Sequence, residues 1–243
     1  MNKTLSLLTF NLYFGQALNE LIELTKKHRP DIVCVQEFPV NETTVKKLED
    51  FGYELADYST SFFKHFRFYS VATFYNPKTI KHRNGQAITL GRSFYEILLF
   101  FLRFSPQSRT SLSNNFVTND GAHQFRICNI HLTALQSTNA IRTKQLQTTL
   151  DFLKKDQSQK PTIVVGDFNY VYKRKNLEKI FQDQGFKEAT NNLFYTIEAR
   201  ILGFVKIKMK PDYIWYQFLS KPKTKRLPRK TSDHYPILTK LSF

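Results

Sequence analysis

Apolar positions along the chain gather into short continuous runs that close on polar residues. The run LSLLTF ends at Asn11, DIVCVQE ends at Glu37, QFRICNIHL carries His131 near its end, and PTIVVGDFN runs into Asp167 and Asn169. Short apolar runs bounded by turn signals read as buried strands. Between the first two, Leu18, Leu21, Ile22 and Thr25 recur at helical spacing. Pro30 ends that helix, because the residue before a proline is pushed out of the α region. The chain therefore opens as strand, helix, strand.

The middle of the chain reads mostly as β: YSVATFY, AITL and SLSNNFVTND, then an Asn119-Asp120-Gly121 turn into QFRICNIHL, which predicts an antiparallel hairpin. A second helix is expected from Ser137-Thr138, which are natural N-cap types, through Ile141, Leu146, Leu150 and Leu153. DYIWY and the end of SDHYPILTKL add strands. There is no internal repeat, low-complexity tract or Gly/Ser linker, so a single domain over residues 1–243 is expected. Strands with interspersed helices point to sheets covered by helices.

Composition narrows the classes. The 243 residues are enough for one sizeable core, and a hydrophobic fraction of 41% excludes a disordered chain. No apolar run is long enough to span a bilayer as a helix. Two cysteines make neither a disulfide framework nor a cysteine zinc site, and Cys34 and Cys128 both lie in apolar runs. A reduced, cytoplasmic protein is expected. The start MNKTLSLLTF mimics a signal sequence but lacks a small-residue cleavage site, so it reads as the first strand.

The net charge is +16, and between residues 173 and 230 there are 15 Lys and Arg against five acids, so +10 of the excess falls in the last third. Charge of this kind speaks first of solubility and non-specific attraction. The run KPKTKRLPRK (residues 221–230) reads as a solvated loop or as a clamp on a polyanion through Lys221, Lys223, Lys225, Arg226, Arg229 and Lys230. The segment RSFYEILLFFLRF (residues 92–104) reads as buried core or as an exposed patch that touches a membrane or a partner.

Asn11, Glu37, His131, Asp167 with Asn169, Asp212, and Asp233 with His234 form a set of polar groups at strand ends or in strands, spread over the whole chain. Each has an ordinary structural reading: a hydrogen-bonded histidine, a Gly-Asp turn, a surface acid. Together they suit a hard divalent ion, which takes few protein carboxylates and completes its shell with water and phosphate oxygens.

The blocks TFNLYFG, VQE, NIHL, GDFN, PDYIW and SDHYPI, in that order from residue 9 to residue 237, resemble the signatures of the endonuclease/exonuclease/phosphatase superfamily. The resemblance implies a four-layer α/β/β/α sandwich of two packed mixed β-sheets and a metal-dependent phosphoester hydrolase. It implies Mg²⁺, or Mn²⁺, on Glu37 with help from Asn11 and Asp233. Asp167 would orient and deprotonate water, Asn169 would bond a phosphoryl oxygen, His234 steered by Asp212 would contact the phosphate or act as acid/base, and His131 would be a second phosphate contact.

Phe10 and the His-type NIHL block disfavour an abasic-site repair enzyme. Lys210-Pro211 departs from the usual Arg-aliphatic pair before Asp212. A nucleic-acid phosphodiesterase is the expected function. A lipid-directed phosphodiesterase or phosphatase at an anionic membrane is the alternative, and a non-catalytic nucleic-acid-binding module a third.

Overall fold

The computed structural model describes residues 3–64, 66–92, 94, 97, 109–134, 137–156, 159–201 and 205–243. In chain order the elements are β1 (Thr4–Asn11), α1 (Leu18–His28), β2 (Ile32–Phe38), α2 (Glu42–Glu49), β3 (Glu54–Lys64), β4 (Arg67–Tyr75), β5 (Ile80–Thr89), β6 (Thr110–Thr118) and β7 (Gln124–His131). They continue with α3 (Asn139–Lys155), β8 (Thr162–Asp167), α4 (Arg174–Gln182), β9 (Lys187–Glu188), β10 (Ile197–Ile201), β11 (Val205–Met209), β12 (Asp212–Gln217), β13 (Ser220–Arg226) and β14 (Ile237–Ser242). Among the described residues no helix is long and apolar enough to cross a membrane.

Two six-stranded mixed sheets form, with orders β13-β14-β1-β2-β4-β3 and β5-β6-β7-β8-β12-β9. Alternation of side chains along each strand explains why the apolar runs are continuous. Leu5, Leu7, Ile32, Cys34 and Ile237 of the first sheet meet Ile127, Ile163, Val165 and Ile214 of the second in a core between the sheets. Their neighbours Leu8, Phe10, Val33 and Val35 point the other way, onto Leu18, Leu21 and Ile22 of α1 and Leu48 of α2. Cys128, Ile130, Val164, Tyr213 and Trp215 pack likewise under Leu146, Leu150 and Leu153 of α3 and Leu177 and Phe181 of α4. Three apolar interfaces thus separate four layers, α/β/β/α. Both cysteines are free and buried.

One expectation changes. Residues 221–230 are a loop only from 227 onward: Ser220–Arg226 is edge strand β13, paired antiparallel with β14 from Ser220–Ser242 to Arg226–Ile237. Lysines along an unpaired edge block further strand addition, which accounts for the composition. Thr138 is the N-cap of α3, but its side chain makes no capping bond. Of the apolar segment 92–104, only residues 92, 94 and 97 fall among the described residues.

Candidate active site

The inter-sheet face turns polar toward one end. On β1 the inward positions Leu5 and Leu7 are followed by Thr9 and Asn11; on β2, Ile32 and Cys34 by Gln36; on β7, Ile127 by Asn129 and His131; on β8, Ile163 and Val165 by Asp167. The first polar layer ties the sheets together. Gln36 Nε2 donates to Asn129 Oδ1 at 2.7 Å, and Asn129 Nδ2 donates to the carbonyls of Ala72 (2.9 Å) and Val35 (3.2 Å), next to the β2–β4 register shift. Beyond this layer lies the site.

Strand register sets one side of it. Thr110, His131, Asp167 and Asp212 are successive partners across β6, β7, β8 and β12, so three of the expected residues stand in one row. Gly166 makes the row possible: at φ +136° its Cα lies so near the Ile130 carbonyl that an added Cβ would sit 2.1 Å from that oxygen. From the other sheet come Asn11, whose Nδ2 donates to Asp167 Oδ2 at 3.0 Å, and Glu37, which lies within the register shift between Val35 and Phe38 with φ +56°. The Ser232 hydroxyl donates to the Asn11 carbonyl (2.8 Å) and accepts from the His234 N–H (3.0 Å), which docks the SDH block beside β1.

Asp212 holds the His234 Nδ1 at 2.8 Å, and the Thr196 hydroxyl donates to the same carboxylate at 2.7 Å. The other imidazole nitrogen, Nε2, lies 3.9 Å from Asp167 Oδ2. Burial works against a charge on His234, but Asp212, then Asp167 and Asp233, overcome it and push its pKa up to about 10. Asp167 is raised to about 7, first by burial and further by Asp212 and Glu37, while His234 opposes the rise. His131, whose Nε2 lies 3.5 Å from Arg109 and 3.6 Å from Asp167, is held well below its usual pKa by burial, Arg109 and His234. The site pairs an imidazolium with a neutral imidazole.

Asn169 sits at φ +51° and donates its Nδ2 to the Leu132 carbonyl, while its N–H donates to Asp167 Oδ1 at 2.9 Å. Lys210, the departure noted before Asp212, turns into an ion pair with Glu188 at 2.6 Å and leaves Asp212 facing His234.

Two sets of ligand atoms compete for a cation. Asp167, Asp212 and His234 bring theirs within 4.8 Å of one another. While the Asp212 and Asp167 charges keep His234 protonated its imidazole offers no lone pair, which suits this trio to acid/base work. Glu37 fits an ion better. Burial raises its pKa, the Phe14 N–H donates to it at 2.7 Å, and neighbouring Asp233 raises it further while His234 and Arg109 lower it. Asp233 Oδ1 is buried without a hydrogen-bond partner. A carboxylate penalised by burial beside an orphaned carboxylate oxygen and the Asn11 amide is a hard-cation donor set.

The structure thus gathers Asn11, Glu37, His131, Asp167, Asn169, Asp212, Asp233 and His234 at one end of the sandwich. It does not gather the six basic residues. Lys221 and Lys223 lie toward the Ser242 end of β14, roughly 17 Å and roughly 10 Å of strand from Arg226. Arg226 stacks on Tyr195 and Tyr235, Arg229 donates to the carbonyls of Ser232 and Glu198, and Lys230 pairs with Glu23. Arg109 and Thr196 join the site without a sequence signal of their own, because they reach it only through space, whereas Phe14 and Ser232 lie within the blocks TFNLYFG and SDHYPI. Gln36 and Asn129 had one: they share parity with the inward apolar residues of their strands.

The chain matches the model of the Endonuclease/Exonuclease/phosphatase family over residues 8–234. No curated protein matches it in sequence. Among solved structures, the human nocturnin catalytic domain with a bound sulfate superposes with a TM-score of 0.76 at 18% identity, covering 100% of this chain and 96% of that one. ANGEL2, a 2′,3′-cyclic phosphatase, gives 0.73 at 14% identity over 99% and 95% of the two chains. A mannosyl-6-phosphatase of Bacteroides thetaiotaomicron gives 0.71 at 15% identity over 98% and 100%. At such identities the likeness is one of fold.

Proposed function

The chain belongs to the endonuclease/exonuclease/phosphatase family of phosphoester hydrolases, and from that premise we propose that it is a Mg²⁺-dependent phosphodiesterase working through Asp167 and His234. The observation that carries the reading is the Asp212–His234–Asp167 arrangement, with one imidazole nitrogen held by Asp212 and the other turned toward the Asp167 carboxylate.

Glu37 would hold the ion, with Asn11 and Asp233 as the further protein donors, and Mg²⁺, or Mn²⁺ in its place, would supply neutralisation of charge on a phosphoryl oxygen. Asp167 takes the proton of the attacking water, its carboxylate fixed by the Asn11 amide and the Asn169 N–H. In-line attack puts the leaving oxygen on the far side of phosphorus from that water. Groups 3.9 Å apart serve the same side, so His234 donates its Nε2 proton to a phosphoryl oxygen and not to the leaving group. His131, kept neutral, borders the same oxygens, and Asn169 offers its second amide proton there.

Charge favours a diester. Among the described residues, Glu37, Asp167, Asp212 and Asp233 are opposed by Arg109 and the His234 imidazolium, and one divalent ion would balance the remainder. Such a site suits the single negative charge of a diester better than the double charge of a monoester. A net charge of +16 favours a polyanionic partner, nucleic acid included, although the basic run no longer clamps the site.

The test is hydrolysis of bis(4-nitrophenyl) phosphate with Mg²⁺, Mn²⁺ and EDTA. Metal-dependent turnover that Glu37→Ala and Asp167→Asn each lower by at least about 10²-fold is the expected result. Turnover that survives either substitution, or that EDTA leaves untouched, overturns the assignment.

A further inference from the structure

Large apolar side chains left in water are informative when several stand at one end of a molecule. Among the described residues Phe66 is 95% exposed, Phe94 81%, Phe194 96%, and Tyr172 and Phe68 are also exposed. Phe66, Phe94, Tyr172 and Phe194 lie on connections at the active-site end, and Phe68 stands at the start of β4 beside them. Phe66 and Phe68 belong to the β3–β4 hairpin, whose strands stay paired out to Lys64–Arg67, past Phe38–Ser70 where β2 stops. This overhang borders the site: Phe62 packs edge-on against His131 at 5.9 Å, and Phe14 packs against Phe62 and Tyr69. Tyr172 follows shortly after Asp167. Phe94 lies on the connection that leaves Leu90 and returns at Arg109, joined by the Leu90 N–H to the Arg109 carbonyl (3.0 Å). Phe194 precedes Thr196, the partner of Asp212.

Cations are interleaved with these rings. Lys64 stands over Phe14 at 3.9 Å, and Arg67 is exposed beside Phe66. Lys206 and Lys208 are exposed on β11, whose hairpin with β10 is anchored by a bridge from Ile197 to His234. Aromatic rings with flanking lysines are the side chains that settle at the headgroup level of a bilayer, the rings among the upper acyl carbons and the ammonium groups among phosphates.

We propose that the active-site end docks on an anionic phospholipid bilayer, and that the phosphodiester hydrolysed there belongs to a lipid headgroup. The second half rests on the phosphodiesterase reading above; the docking stands by itself. A nucleic-acid strand fits less well. It asks for a continuous basic groove with stacking rings, whereas the exposed rings here stand on separate projections and Arg226 and Arg229 are spent on internal rings and carbonyls.

The full chain is floated with phosphatidylcholine vesicles, with and without a minority of phosphatidylglycerol, beside a Phe66→Ser/Phe68→Ser variant and a Lys64→Glu/Arg67→Glu variant. Wild type is expected to bind the anionic vesicles, less at high salt. Both variants are expected to lose at least about tenfold in partitioning while keeping their circular dichroism and their rate on soluble bis(4-nitrophenyl) phosphate. Failure of wild type to float, or variants that float as well as it does, overturns the docking. Loss of single-stranded DNA or RNA binding in the same variants, without any vesicle binding by wild type, gives the surface to nucleic acid instead. Docking without hydrolysis of either the soluble diester or vesicle phospholipid removes the phosphodiesterase reading and leaves a membrane-binding protein.

Discussion

Burial strips water from the His234 imidazole and favours its neutral form, yet the Asp212 carboxylate on Nδ1, with Asp167 and Asp233 beyond it, holds the proton to a pKa of about 10. Asp212→Asn keeps the shape and removes the charge. The imidazole then titrates at lower pH, so the alkaline limb of the kcat/KM profile moves toward acid, and activity above neutrality falls by about 10²-fold or more. A pH profile with an unmoved alkaline limb would show that the cation is dispensable. At this scale the sequence was legible where a polar residue closed an apolar strand: Asn11, His131 and Asp167 could be picked from their positions. It was silent on Arg109 and Thr196, whose only credential is the neighbour they meet after folding.

Elements were legible in proportion to their burial. Strands β1, β2, β7, β8 and β12 carry apolar side chains on both faces and stand out as runs. The edge strand β13 carries Lys-Pro-Lys-Thr-Lys-Arg and reads as a loop, because an edge must be polar to stay monomeric. The short helices α2 and α4 bury one or two side chains each and leave little pattern. Between β7 and β8 the decisive position is Gly166. Any Cβ there meets the Ile130 carbonyl oxygen, and φ +136° is closed to other residues. Gly166→Ala is expected to cost at least about 3 kcal/mol and to lower Tm by roughly 6–12 °C. Gly91→Ala, with no atom within 4 Å, is the neutral control in the same thermal melt.

For the whole molecule, the same buried groups tie folding to pH. The folded pKa of His234 lies above its usual 6.5, so the stability it contributes is complete below about pH 6.5 and is lost as pH rises toward 10. Asp167, also raised, adds to that decline up to about pH 7, and His131, kept neutral by burial, opposes it below 6.5. Metal-free protein should therefore lose stability steadily from neutral to alkaline pH in urea titrations, and Asp212→Asn should flatten the slope. An alkaline slope unchanged by that substitution would place the linkage elsewhere.

Strand order has a last consequence. The sheet that carries Asn11 and Glu37 is assembled from both ends of the described chain, β1 lying between β2 and β14 with Thr4 opposite Ser242, while the sheet that carries His131, Asp167 and Asp212 comes from the middle. Closing β14 onto β1 requires the largest loop in the molecule to be drawn shut, the slow kind of contact in folding. Asp233 and His234 arrive with that strand. A partly folded chain can own most of its secondary structure and still lack the proposed proton donor and one proposed ion ligand, so hydrolysis is expected only once β14 has closed onto β1.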